Sequence, residues 1–386
     1  MRASSIREML KVTQQPDVIS FGGGLPAPEL FPIEAIVECT REVMDLYGPQ
    51  ALQYSLTEGI PQMREWVARR LTQRFGRPIG ARDAIMVNGS QQGLDLLGKI
   101  FLDPGDHVVL EHPSYLGAIQ AFDAYQARYL AVDTDEDGMI PESLERVIER
   151  ADPFPKMVYL IPNFQNPTGR TLALDRRERI VRICEAFDVP LIEDDPYGEL
   201  CFENEALPAL SSYASTGTIV YLGTGSKIMA PGLRVAWAVV PDADVREKLV
   251  LAKQGADLHS GSLAQYLFFQ YVSREDAFEA HIRRIVDTYR RRRDVMHAAL
   301  TRFMPAGVGF NRPQGGMFLW ATVAGIDTQA LLEVCARDKV VFVPGVSFYP
   351  NRDVHDGMRL NFSNSGEELI QVGIERMAHA VRSFAR

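Results

Sequence analysis

The chain has 386 residues, of which 46% are hydrophobic and 24% charged, with a formal charge of −9. These are ordinary values for a globular protein with material for about two domains. A mildly acidic chain has no large electrostatic reason to sit on nucleic acid or anionic lipid, and its one basic run, "YRRRRD" at 289–294, reads as the solvated face of a helix.

Four widely spaced cysteines (Cys39, Cys184, Cys201, Cys335) read as reduced thiols, not as a disulfide framework or a zinc site. The seven histidines show no close metal-ligand spacing, so no metal is expected. No apolar run approaches the roughly 20 residues that span a bilayer, and "MRASSIREML" lacks a signal-peptide core. The expectation is a cytoplasmic enzyme with no membrane partner.

Along the chain, a short amphipathic segment, Ile6 to Leu10, precedes the arm "SFGGGLPAPELFP", too rich in Gly and Pro for a helix or a central strand. From about residue 85 the pattern becomes strand, turn, helix. "AIMVNGS" reads as a strand and turn, and "QQGLDLLGKIFL" as a helix with Ser90 at its N-cap. "DHVVLEHPSY", "RYLAV", "KMVYLIPNFQNPTG", "VPLIEDDPYGE", "TIVYLGTGSK" and "RVAWAVV" supply further strands, with helices from about 116, near 142–150 and over 173–187 between them. Such alternation predicts an α/β fold, a mostly parallel sheet covered on both faces. Beyond residue 243 the strands thin out, and a helix over about 275–304 leads to a smaller α+β region.

In parallel sheets of this kind ligands sit at the carboxyl ends of the strands. "NGS", "HPSY", "NPTG", "EDDPY" and "GTGSK" all fall at such ends. Lys227 stands among Gly223, Thr224, Gly225 and Ser226, with Arg234 seven positions on. Glycines permit close approach by a ligand, and a desolvated lysine beside another cation becomes a usable amine nucleophile. Hydroxyls with an arginine suit a phosphate. Amine and phosphate site together point to pyridoxal phosphate.

The remaining strand ends supply what that cofactor needs. Ser90, Gln91 and Gln92 open a helix whose free N–H groups and dipole favour phosphate. Tyr115 can stack on a pyridine ring, and Asn166 can bond its hydroxyl oxygen, a contact that Tyr197 can share. Asp194 can keep the ring nitrogen protonated, while Glu193 and Asp195 point the opposite way along the strand.

The chain resembles the fold-type-I pyridoxal-phosphate aminotransferases over essentially its whole length, most closely the 2-aminoadipate/kynurenine branch. The resemblance is carried by "SFGGGLPAPELFP", "LQYSLTEG", "NGSQQGLDLLGKIFLDPGD", "YLIPNFQNPTG", "EDDPYGEL", "SKIMAPGLRVAW", "AKQGADLH", "RPQGGMFLW" and "MRLNFS". It implies a seven-stranded, mostly parallel central sheet between helices in a large domain over 34–290. A small domain over 291–386 would be joined by the helix and arm of 1–33. It also implies that Lys227 bonds the cofactor aldehyde and moves the substrate's Cα proton. Ser90, Gln91, Ser226 and Arg234 would hold the phosphate, joined across a homodimer interface by Tyr54. Tyr115 would stack on the ring, Asp194 would pair with its nitrogen, and Asn166 and Tyr197 would meet its oxygen. Arg359 would bind the substrate α-carboxylate, Gly23 and Gly24 would lie over the substrate, and Arg7 would meet an acidic side chain.

The implied reaction moves an amino group from an L-amino acid (2-aminoadipate, glutamate, or aromatic or branched-chain donors) to a 2-oxo acid such as 2-oxoglutarate. A lyase or decarboxylase of the same fold is the enzymatic alternative. A non-catalytic sensor module is the other, disfavoured because only nineteen residues precede "SFGGG". Gly225 departs from the pattern: relatives commonly carry an aromatic there, and looser packing beside the lysine is the expectation.

Overall fold

The computed structural model describes residues 17–203, 207–351 and 353–384. In chain order the strands are β1 (Ile19–Ser20), β2 (Ala84–Asn88), β3 (His107–Glu111), β4 (Arg128–Val132), β5 (Thr134–Asp135), β6 (Gly138–Met139), β7 (Met157–Leu160), β8 (Leu191–Asp194), β9 (Ile219–Thr224) and β10 (Val235–Val239). The remaining five are β11 (Val308–Phe310), β12 (Phe318–Val323), β13 (Val340–Val341), β14 (Val343–Pro344) and β15 (Gly357–Asn361).

A seven-stranded sheet runs in the order β2-β10-β9-β8-β7-β3-β4. Its neighbours are parallel except at β10, which is antiparallel to both β9 and β2. The exception follows from chain length. Residues 225–234 join β9 to β10, too few for a parallel crossover, which takes a dozen or more. The inner strands β3, β7, β8 and β9 are buried along their whole length, as near-continuous apolar runs such as "MVYL" require when helices cover both faces.

Helices Ser90–Phe101, Leu116–Asp123 and Leu174–Ala186 follow β2, β3 and β7, so their first turns lie at the carboxyl edge of the sheet. Ser90 is the first residue of its helix and not the N-cap expected. Gly89 takes the cap position at φ +81, and a Cβ there would lie 2.0 Å from the Arg234 guanidinium. Only glycine satisfies both the dihedral and the approach.

The second sheet, β11-β12-β15-β14, is antiparallel. The helices Glu275–Phe303 and Glu367–Phe384 pack against one another beside it. The N-terminal arm is fastened to this part of the fold. β1 pairs in parallel with β13; the Phe21 N–H donates to the Val341 carbonyl at 2.8 Å, and the Asn361 N–H donates to the Phe21 carbonyl at 2.8 Å.

The basic run at 289–294 is only in part the solvated face expected: Arg290 is partly exposed and Arg291 exposed, but the next two are not. Arg293 is fully buried, donates to the Pro313 carbonyl and pairs with Glu203 at 2.7 Å; Arg292 is buried too, bonded to Glu29 and the Ser363 carbonyl. On a helix packed on several sides, successive arginines point in different directions, and two of them tie loops that would otherwise leave carbonyls unpaired. No described helix is long and apolar enough to cross a membrane.

Phe21 is completely buried, its ring lying where a Cβ on Gly373 would be 2.5 Å away. Phe21→Ala is expected to cost about 3–5 kcal/mol as a core truncation. It should also loosen the arm, which limited proteolysis would read as faster cleavage near residues 17–27 together with a lower thermal midpoint.

Candidate active site

At the carboxyl edge of the seven-stranded sheet lies a cavity of about 240 Å³, lined by Gly24, Ser90, Gln91, Tyr115, Asn166, Asp194, Tyr197, Ser226, Lys227, Arg234, Phe318 and Arg359 among others. A larger surface cleft of about 670 Å³, between Glu136, Arg170, Arg312 and Trp320, holds none of the residues singled out from sequence.

Lys227 stands in the turn after β9, its Nζ donating to the Gly24 carbonyl at 3.0 Å. Burial first, and then Arg359 and Arg234, lower its pKa to about 8. No carboxylate is paired with it among the described residues. Gly225 explains part of this turn. A Cβ there would meet Phe268 at 2.2 Å, so a phenyl ring from the helix Ser262–Val272 fills the space that a side chain at 225 would need. The looser packing expected from the glycine is therefore absent; an aromatic from elsewhere in the chain occupies the volume.

At one end of the cavity the groups suit an anion. The Ser90 hydroxyl is buried without a hydrogen-bond partner at the start of its helix, where N–H groups are free. The Gln91 amide donates to the Gly117 carbonyl at 2.7 Å, and the Ser226 hydroxyl accepts from Thr224 at 2.9 Å. Arg234 sits in the left-handed region at φ 56, exposed at the rim, its guanidinium donating to the Asn88 carbonyl at 3.2 Å. Tyr115 has room because residue 117 is glycine: a Cβ there would lie 2.4 Å from the Tyr115 ring.

Deeper in, the Asp194 carboxylate ends β8. Its Oδ2 accepts from the Tyr159 hydroxyl at 2.8 Å, and its Oδ1 is buried with no partner. Burial raises its pKa to about 7, with Asp195 adding to the rise and the Tyr159 hydrogen bond opposing it. The flanking acids face elsewhere, as strand alternation requires. Glu193 accepts from Leu210 N, Ser211 N and Ser211 Oγ, and Asp195 pairs with Arg74 and accepts from Asn163 at 2.9 Å and Tyr221 at 3.0 Å.

Asn166 links two further groups, its amide donating to the Tyr197 hydroxyl at 3.4 Å and its carbonyl accepting from Arg359 at 2.9 Å. Arg359, on β15, is buried over the Phe318 ring at 4.3 Å and donates to the Gly22 carbonyl at 2.7 Å. Its Nε has no partner, no carboxylate pairs with it among the described residues, and burial lowers its pKa to about 10. A buried guanidinium with neutral partners alone is costly unless an anion arrives.

Some expected residues are not brought together. Tyr54 is 79% exposed, its ring edge-on to His259 and outside the cavity. Gly23 lines a separate groove with Asp17, Leu25 and Arg376, whereas Gly24 borders the cavity against Phe318. Arg7 lies outside the described residues. Sequence reasoning missed Phe318 and Tyr159. For Tyr159 a signal existed: a phenol in the otherwise apolar buried run "MVYL" must find a hydrogen-bond partner.

The model of the aminotransferase class I and II family matches residues 16–377, and the chain belongs to that family. It is a pyridoxal-phosphate-dependent aminotransferase of fold type I. Among curated relatives, the aromatic-amino-acid aminotransferase 1 of Thermococcus litoralis is 42% identical over 99% of this chain and 92% of its own length. The 2-aminoadipate transaminase of Thermus thermophilus is 41% identical, over 100% of this chain and 95% of its own length. Among solved structures, the kynurenine aminotransferase of Pyrococcus horikoshii, in complex with PMP, superposes with a TM-score of 0.95 at 41% identity, covering 100% of this chain and 96% of its own.

The residues present fit the cofactor. Three buried polar atoms without partners, Ser90 Oγ, Asp194 Oδ1 and Arg359 Nε, belong to side chains that line this one cavity. The first two match the cofactor's phosphate and protonated ring nitrogen, and the third matches the carboxylate of an amino-acid substrate.

The lowered lysine predicts a pH dependence whose sign can be worked out. Only the neutral amine attacks an aldehyde; with a folded pKa of about 8 Lys227 is mostly charged below that pH and mostly neutral above it. The rate at which apoenzyme takes up pyridoxal phosphate covalently, followed by absorbance, is expected to rise between about one pH unit below and one above that value. A midpoint near the ordinary lysine value would contradict the geometry.

Proposed function

We propose that the chain transfers the amino group of an L-amino acid, with 2-aminoadipate, glutamate and aromatic or branched-chain amino acids as donors, to a 2-oxo acid such as 2-oxoglutarate. The observation that carries this reading is that Lys227, partly buried, and Arg359, buried, line one chamber, neither with an anionic partner among the described residues. An amine that can be neutral near physiological pH and a guanidinium lacking a carboxylate are the two groups an α-amino acid needs.

When bound, the cofactor supplies an aldehyde for the amino group and a ring that takes up the electrons of the broken Cα–H bond. Arg359 binds the substrate carboxylate and thereby orients the Cα–H bond toward Lys227. Lys227 Nζ, in the chamber with Arg359, would be the base that accepts that proton and the acid that gives one back. Asp194 presents Oδ1 to the ring nitrogen, and Asn166 and Tyr197 hold the ring oxygen. Tyr115 covers the ring face, and Ser90, Gln91, Ser226 and Arg234 bind the phosphate.

The same reading takes residues 34–290 as the cofactor-binding domain and 291–386, joined by the arm, as the smaller one. Support for the latter is the β1–β13 pairing. It also takes the protein to be a cytoplasmic homodimer. Supporting a dimer, Ile33, Val37 and Met44 are exposed at helical spacing along one face of the helix Ile33–Ala51, and Leu52, Tyr54 and Leu56 are exposed in the loop after it. From there Tyr54 would reach the partner's phosphate. Gly23 and Arg7 belong to the substrate side of this reading, Arg7 against an acidic side chain. Donor choice is supported by the 2-aminoadipate and aromatic specificities in the names of the relatives.

The test is the visible spectrum of the reconstituted enzyme with single amino acids. The yellow cofactor band is expected to bleach with 2-aminoadipate or glutamate and return with 2-oxoglutarate, and Lys227→Ala to abolish turnover. A band that bleaches only with aromatic donors would keep the reaction and overturn the acidic donor class. Arg359→Ala should lower kcat/KM by roughly a hundredfold for every donor alike, since it removes charge-assisted bonds to a group all of them share. An effect confined to some donors would contradict its assignment to the α-carboxylate.

A further inference from the structure

We infer that Tyr159 is a positioning residue: its hydroxyl fixes the Asp194 carboxylate so that the remaining free oxygen meets the cofactor's ring nitrogen, and it keeps the shared proton on that nitrogen. The inference rests on the assignment of Asp194 to the ring nitrogen proposed above.

The geometry is specific. Tyr159 lies in β7 and is paired across the sheet with Ile192 of β8, two residues before Asp194 and on the same face of that strand. The residue is fully buried, and its ring is held edge-on by Phe122 at a centroid distance of 6.0 Å. Its hydroxyl donates to Asp194 Oδ2 at 2.8 Å and is the one side-chain donor to that carboxylate among the described residues. Oδ1 is left without a partner, and the Asp194 side chain lines the cavity. With one oxygen fastened, rotation about the last side-chain bond would break a buried hydrogen bond, so the carboxylate is held ready for an N–H arriving at Oδ1.

The electrostatic part follows from who can hold a proton there. One proton is shared between the Asp194 carboxylate and the ring nitrogen; it lies on nitrogen only while the carboxylate is the weaker base. Burial and the neighbouring Asp195 make the carboxylate more basic, and Tyr159 opposes both. Asp195 is itself partly neutralised by Arg74. Tyr115 and Tyr197, the other titratable groups near the ring, are both raised and therefore neutral phenols. Tyr159 is raised too, well above its usual value, so it donates without surrendering its proton. Removing its hydroxyl makes Asp194 a stronger base, and the proton moves from nitrogen to carboxylate. The ring then loses the positive charge that makes it an electron acceptor.

The experiment uses holoenzyme reconstituted with pyridoxal phosphate labelled with nitrogen-15 in the ring, and reads by NMR the pH at which that nitrogen loses its proton. Tyr159→Phe, which keeps the ring and removes the donor, should lower that pH and weaken cofactor affinity roughly ten- to hundredfold. Replacement of Tyr159 by 3-fluorotyrosine, a stronger donor of nearly the same shape, should move the pH the other way, which a role in packing alone would not do. A nitrogen titration unchanged in both proteins overturns the inference. Should Tyr159→Phe fail to fold, the fluorinated protein decides by itself. Asp194→Asn separates the underlying reading: a nitrogen still protonated in that variant would remove Asp194 from the ring, whatever Tyr159 does.

Discussion

The structure is organised around two cations lining one chamber, Arg359 buried and Lys227 partly so, neither in an ion pair with a described carboxylate. Lys227 and Arg359 each face a desolvation penalty of several kcal/mol that no described carboxylate offsets. Each donates to a backbone carbonyl of the arm, Gly24 for the lysine and Gly22 for the arginine. Both strand systems and the N-terminal arm must therefore be in place before the chamber exists. The fastening of the arm at β1, Phe21 and β13 serves the active site as directly as any residue lining it.

A second organising feature is the separation of three consecutive acids. Glu193, Asp194 and Asp195 would repel one another if they shared a surface. Strand alternation turns the outer two away, where Ser211 and a backbone turn hold one and Arg74, Asn163 and Tyr221 hold the other. Asp194 is left facing the cavity with a phenol on one oxygen and nothing on the other. The local field at that point comes from burial, one neutral donor and the nearby Asp195, with no salt bridge to Asp194 among the described residues. Among the described residues no cation is bonded to it, which leaves its free oxygen to a ligand nitrogen.

Much of this was legible in the sequence, because a parallel sheet gathers its strand ends on one edge. "NGS", "HPSY", "NPTG", "EDDPY" and "GTGSK" could be placed together from alternation alone, before any contact was known. Contacts between segments distant in the chain were not legible. That Phe268 fills the space beside Gly225, that Arg293 anchors the Pro313 loop from inside a helix, and that Tyr159 reaches Asp194 from the next strand all depend on side-chain direction in three dimensions. A basic run or a tyrosine in a strand has the same spelling whether it faces water, core or site. Tyr54 marks the other boundary: its proposed role across an interface leaves no trace in a single chain, where the side chain is exposed.

The antiparallel β10 has a consequence for how such chains can be recombined. Its register is pinned on both sides, Ala236 against Thr224 and Val235 against Asn88, while residues 225–234 carry the amine and the rim guanidinium between those two pins. Adding or removing one residue in β10 would shift the strand by one position and turn each of its buried side chains to the opposite face. The turn acts as a ruler of fixed length, and segments exchanged between relatives should be joined outside it. Within the turn, Gly225 is held to glycine by the Phe268 ring, and Lys227 and Arg234 keep their places only while its length is kept.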